Sequence, residues 1–254
     1  MQSPAKWLSA MLLVVSTSGY AADEVQSKPV LNQDVINRLI DMGNYLRTIK
    51  RFNVAVQVSQ DVELDSGYKV KTLGTVDMTV DGRTHLVAHL ASDRYVRSFY
   101  YNGTQFTQYS PALKYYTTVK AADNVYDMLH EVEDYYGIQV PLEDLFQFGR
   151  DQDQIDALTM AAYVGPSKVA GKTCDHYAFS QPNADWQLWI AREGNPLPCR
   201  LVITSTDSES RPEYSAEYHW NLKPAIKSGE FTFQPGKGDI AIPLKKADAD
   251  TAAQ

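Results

Sequence analysis

Arg94-Tyr-Val-Arg-Ser-Phe-Tyr-Tyr-Asn-Gly-Thr-Gln-Phe-Thr-Gln-Tyr109 decides the fold. Two short runs rich in Tyr and Phe flank Asn102-Gly103. Aromatic and β-branched side chains fit a pleated, half-buried surface. Asn-Gly is a strong hairpin signal, because a type I′ turn needs positive φ at both residues. Strands joined this tightly are antiparallel neighbours.

The same pattern extends outward on both sides. Val54, Val56 and Val58 alternate with Ala55, Gln57 and Ser59, a half-buried strand. Asp65-Ser66-Gly67 turns into a strand over 68–80, and Asp81-Gly82 turns into one over 84–91. Strands over 94–101, 104–109 and 114–119 complete a six-strand meander. The period then changes. Asp123 can cap a helix over 123–136 that ends at Gly137. Pro141 opens a short helix over 141–148, and a third is expected over 154–158. Strands resume over 159–164, 172–180, 185–191, 199–206, 211–222 and 229–233. Upstream of the meander, apolar residues at 35, 36, 39, 40, 42, 46 and 49 mark one face of a helix over 34–49, capped by Asn32 or Asp34.

No polar linker separates the two strand groups. The expectation is one α+β domain over 32–240, mainly antiparallel β, with about eleven strands. A sheet of that size curls and needs cover on its inner face. The N-terminal and central helices can supply it. A flexible lead over 22–31 and a flexible tail over 241–254 complete the layout.

The chain has 254 residues, 24 Lys+Arg against 31 Asp+Glu, and a formal net charge of −7. An acidic chain without a basic run is a poor nucleic-acid binder, since that binding exchanges Lys and Arg for phosphate counterions. Residues 1–21 read as a secretory signal peptide: Lys6, an apolar run through Val15, then small residues, with cleavage between Ala21 and Ala22. That run is too short for a bilayer of ~30 Å, and no later stretch reaches ~18 apolar residues. No integral membrane segment is expected after cleavage.

Export makes the two cysteines, Cys174 and Cys199, an expected disulfide rather than two free thiols. They fall on strands separated by one other. Two strand spacings make about 9.6 Å, beyond the ~7 Å reach of a bridge. The middle strand must therefore end early, near Glu193-Gly194.

Catalytic and metal signals are weak. No Gly-rich phosphate loop, nucleophile elbow, HExxH or paired CxxC is present. His85 and His89 share a strand face about 13 Å apart, too far for one metal ion. His130 with Glu133 reads as a solvated helix face, and Asp134, Glu143 and Asp144 as helix-start acids. Cys174-Asp175-His176 invites a nucleophile–base reading, but a disulfide sulfur is no nucleophile. No cofactor, no metal and no enzymatic activity is expected. The aromatics carry more information. Tyr supplies 16 residues, and Trp186, Trp189 and Trp220 fall in the later strands. A curled sheet encloses volume, which either its helices or a ligand fills.

Tyr101-Asn-Gly-Thr-Gln-Phe-Thr-Gln-Tyr109, Tyr115-Tyr-Thr-Thr-Val119, Pro141-Leu-Glu-Asp-Leu-Phe146, Cys174-Asp-His-Tyr-Ala-Phe179, Asp185-Trp-Gln-Leu-Trp-Ile-Ala191 and Pro196-Leu-Pro-Cys-Arg-Leu-Val-Ile203 together resemble a bacterial family of predicted periplasmic proteins of unknown function (DUF2092-like). That family is similar in outline to the LolA/LolB/RseB lipoprotein carriers. The resemblance implies a half-open antiparallel β-barrel with an N-terminal helix and a mid-chain helical lid. It also implies the periplasm of a Gram-negative bacterium and a cavity for a lipid, lipoprotein acyl chain or other hydrophobic ligand. Val56, Val58, Phe99, Tyr101, Phe106, Trp186 and Trp189 from the sheet, with Leu129, Val132, Leu145 and Phe146 from the lid, are the candidate lining. Strand parity alone does not say which face looks inward. The alternative is an envelope protein-interaction or stress-sensor module, its cavity filled by side chains.

Overall fold

The computed structural model describes residues 31–136 and 152–244. The expected leader with Ala21 and Ala22, most of the lead, the helix over 141–148 and the chain from 245 lie outside them.

Asn32 caps α1 (Gln33–Thr48), its side-chain oxygen accepting from the Asp34 and Val35 amides. A meander follows: β1 (Arg51–Glu63), β2 (Lys69–Asp81), β3 (His85–Ser92), β4 (Val96–Tyr101), β5 (Gln105–Ser110) and β6 (Tyr115–Lys120). Next come α2 (Val125–Tyr136) and α3 (Gln152–Asp156). A second meander comprises β7 (Met160–Val169), β8 (Lys172–Gln181), β9 (Ala184–Ala191), β10 (Pro198–Ser205) and β11 (Glu213–Asn221). The two-residue β12 (Ile240–Ala241) comes last. The strands make one curved, open sheet in the order β12-β6-β5-β4-β3-β2-β1-β11-β10-β9-β8-β7. Every pairing is antiparallel except that of β12 with β6. The order is linear, so β7 and β12 form two separate edges and the barrel is not closed.

Register settles the parity that the sequence left open. Val54 lies opposite Met78 and Trp220, and Val56 opposite Val76 and Tyr218. The row through Phe52 continues across Val80, Leu86, Tyr101, Phe106 and Val119. These side chains share one core with Val35, Ile36, Leu39, Met42 and Leu46 of α1 and Met128 and Val132 of α2. The helix-bearing face is therefore the inner one. α1 starts beside edge strand β7, where the Asn32 amide donates to the Ala161 carbonyl, and runs into β1 at mid-sheet. It covers the half built from the second meander. α2 covers the other half: the Val125 amide donates to the Arg83 carbonyl just before β3.

Three expectations are corrected. Gly103 alone takes positive φ at the β4–β5 turn (+92°), so the turn is not type I′. Instead the Asn102 side-chain oxygen accepts the Thr104 and Gln105 amides, an Asx turn that holds Asn102 in ordinary backbone space. Asn124 rather than Asp123 caps α2, accepting the Asp127 amide at 3.0 Å. Residues 229–233 form turns, not a strand: Phe231 and Phe233 imitate strand alternation, but their backbone finds no ladder partner. The twelfth strand is β12 instead, and the Ile242 amide donates to the Tyr116 carbonyl.

Cys174 and Cys199 form the disulfide, with Cα atoms 6.8 Å apart. Cys174 lies opposite Ala191, the last residue of β9. Cys199 occupies a register irregularity between Pro198 and Arg200. The early end of the middle strand and this bulge together remove the excess distance. Around the bridge, Val169, Trp189 and Ala191 make a second small apolar cluster on the outer face. Replacing both cysteines by serine is expected to cost about 3–4 kcal/mol, from the closed loop of about 26 residues. Urea unfolding of the double variant checks this, and a thiol titration of denatured, unreduced protein is expected to find no free thiol.

Candidate functional site

The sheet half under α2 gathers three of the five aromatic candidates among the described residues. Phe99 and Tyr101 on β4 and Phe106 on β5 are at most 1% exposed, and the Phe99 and Phe106 rings stack at 5.8 Å. Above them α2 lays Met128 and Val132, both buried, with Leu129 half-buried beside them. These positions are four apart, one face of a helix.

The approach to α2 is fastened by polar bonds. The Tyr101 hydroxyl donates to the Ala122 carbonyl at 2.6 Å, and the Ala122 amide donates to a Glu131 carboxylate oxygen at 2.8 Å. One Tyr hydroxyl thus ties the sheet floor to the chain entering the cover, and Glu131 ties that entry to the helix. Burial pushes the Tyr101 phenol up to about 12, and the nearby carboxylates of Asp123, Glu131 and Asp127 add to the shift.

The other candidates divide by face. Val56 and the half-buried Val58 lie at mid-sheet on β1. Trp186 on β9 stacks on Phe179 at 4.0 Å in the half covered by α1. Trp189 stands apart: its register places it on the outer face, where its ring stacks on His176 at 4.0 Å and Arg200 lies over it. It cannot line the same space as Trp186. Leu145 and Phe146 lie outside the described residues. Sequence reasoning missed Leu86 and Met128 as floor and cover. Met128 was legible as the residue four before Val132. Leu86 needed the face assignment.

The residues considered for chemistry have structural partners. His85 bonds Thr84 at 3.0 Å and packs against Phe231. His89 bonds Ser98 at 2.9 Å, and His130 bonds the Tyr126 hydroxyl. Burial lowers the His176 pKa, partly offset by its hydrogen bond to Gln187, and so favours the neutral form of the ring that stacks on Trp189. Among the described residues no group of three or more His, Cys, Asp or Glu is placed to hold a metal ion. No described helix is long and apolar enough to cross a membrane.

Over residues 36–245 the sequence matches the family described as predicted periplasmic protein, DUF2092. No curated protein matches it. Among solved structures, LprF from Mycobacterium bovis aligns at 13% identity with a TM-score of 0.47, over 79% of this chain and 98% of that one. Lipoprotein LppX from Mycobacterium tuberculosis aligns at 10% identity with a TM-score of 0.41, over 78% and 100%. The MucA/MucB complex of Pseudomonas aeruginosa aligns at 13% identity with a TM-score of 0.42, over 79% and 61%.

Tyr101→Phe is expected to leave the Ala122 carbonyl unpaired, at a cost of about 1–3 kcal/mol, and to speed amide exchange through the start of α2. The same variant tests the pH dependence. A phenol whose folded pKa is raised stabilises the fold fully below its unfolded value near 10 and loses that contribution as pH climbs toward 12. Between pH 8 and pH 11 the unmodified protein is expected to lose more stability than Tyr101→Phe, read by urea titration at both pH values.

Proposed function

The chain belongs to the DUF2092 family of predicted periplasmic proteins, and from that premise we propose that it is a non-catalytic binding module that holds an acyl chain or similar hydrophobic ligand between the sheet and α2. A signal peptide over 1–21 and a single domain from 32 onward accord with this reading. One contrast carries it. α1 buries Val35, Ile36, Leu39, Met42 and Leu46, whereas α2 buries only Met128 and Val132. At ~1.5–3 kcal/mol per fully buried apolar side chain, lifting α2 loses about 3–6 kcal/mol of burial at Met128 and Val132, with a smaller share from the partly buried Val125, Leu129 and Tyr136, against more than twice about 3–6 kcal/mol for the five of α1. At ~0.8 kcal/mol per methylene, four to eight buried methylenes roughly offset the loss. A lipid tail has enough of them, and the floor that α2 uncovers is apolar and aromatic: Leu86, Phe99, Tyr101 and Phe106. α2 is thus the displaceable cover and α1 the permanent one.

The near-complete burial of Phe99, Tyr101 and Phe106 favours a second reading, a protein-interaction module whose interior is filled by its own side chains. Native mass spectrometry of protein purified without detergent, with displacement of a fluorescent fatty acid, separates the two. The lipid reading expects a co-purified adduct or a displaceable probe. It also expects Met128→Ala, which thins the cover, to speed probe association several-fold. No adduct, no displacement and no response in Met128→Ala would leave the filled-interior reading standing.

A further inference from the structure

We propose that the outer face of the sheet carries a separate site for a small, neutral, hydroxyl-rich molecule of the class of a single sugar ring. After β11 the chain crosses the outer face of the first meander before joining β6 as β12. Two rings seat this strap. Phe231 is buried and packs on His85 at 5.2 Å. Phe233 lies within 4.7–5.4 Å of Tyr100, Tyr109 and Tyr116. Between strap and strands a partly open cleft of about 130 Å3 remains.

The chemistry of the cleft selects its ligand. No lining residue carries a formal charge, so an ionic ligand would lose its hydration without gaining a counter-charge. An alkyl chain fits no better, because the lining is rich in amides and hydroxyls. Asn102 gives its side-chain oxygen to the turn. Among the described residues the Asn102 side-chain nitrogen, the Gln105 side-chain amide and the Thr232 hydroxyl have no hydrogen-bond partner within the protein. Covering them with alkyl groups would leave each desolvated and unpaired. Planar amides and hydroxyls beside the rings of Tyr116 and Phe233 match a molecule with a hydroxyl edge and a C–H face. The inner-face site shares no residue with this cleft, so the two stand or fall separately.

The test titrates the full chain, labelled with nitrogen-15, with methyl glucoside and N-acetylglucosamine, and in parallel with anionic glucuronate and cationic glucosamine. The neutral sugars are expected to shift the amide signals of residues 102–107, 116–118 and 231–234 saturably. The charged sugars are expected to bind at least fivefold more weakly. Gln105→Ala combined with Thr232→Ala is expected to weaken the neutral sugars at least fivefold with an unchanged melting temperature. Absent or scattered shifts, equal binding of charged sugars, or unchanged binding by the double variant would overturn the proposal.

Discussion

β1 pairs with β2 along its whole length and with β11 over eight residues, and that second pairing turns two meanders into one sheet. Without it the first meander, with β12, would end at β1 and the second at β11, sheets of seven and five strands each with an exposed central edge. The pairing brings together residues some 160 positions apart, Val54 against Trp220 and Val58 against Ala216. Loop-closure entropy grows only slowly with loop length, so this separation costs less in stability than it does in folding time. What offsets it is apolar. Both strands present their even-numbered residues to the helix-bearing face, and one core spans the seam. α1 enters β1 directly, so the helix that covers the second meander is covalently part of the first.

The strands were legible because their ends carry local chemistry. Gly67, Gly82 and Gly103 all take positive φ, and each lies in a turn where the sequence has Asp or Asn nearby. The disulfide was legible with its geometric condition, since a strand spacing is fixed and the excess distance had to be removed somewhere. Facing was not legible. Alternation gives two faces and says nothing of which one a helix covers, so Trp186 and Trp189, three residues apart, were grouped although register separates them. The Phe231 and Phe233 spacing failed for a related reason. Alternating apolar residues report a flat surface beneath the chain, and a side-chain seat on someone else's strands satisfies that pattern as well as a ladder does.

The outer face divides its fastening between the two meanders. The second meander has the disulfide, which joins β8 to β10 across the end of β9. The first has the strap, with Phe233 on three tyrosines and β12 extending the edge at β6. Each fastener lies away from the helices. Stiffness supplied from the outside leaves the inner cover free of that task.

This division accords with the packing of the two helices: α1 fully buries five apolar side chains and the shorter α2 two. α1 lies across the half whose outer fastener is local, reaching only from β8 to β10, and it adds five apolar side chains to the core that this half shares. α2 lies over strands already held by their own tight turns and by the strap behind them, so the fold asks little of it beyond shielding the aromatic floor. The helix that fully buries fewer side chains thus lies over the half of the sheet that its own turns and the strap already fasten.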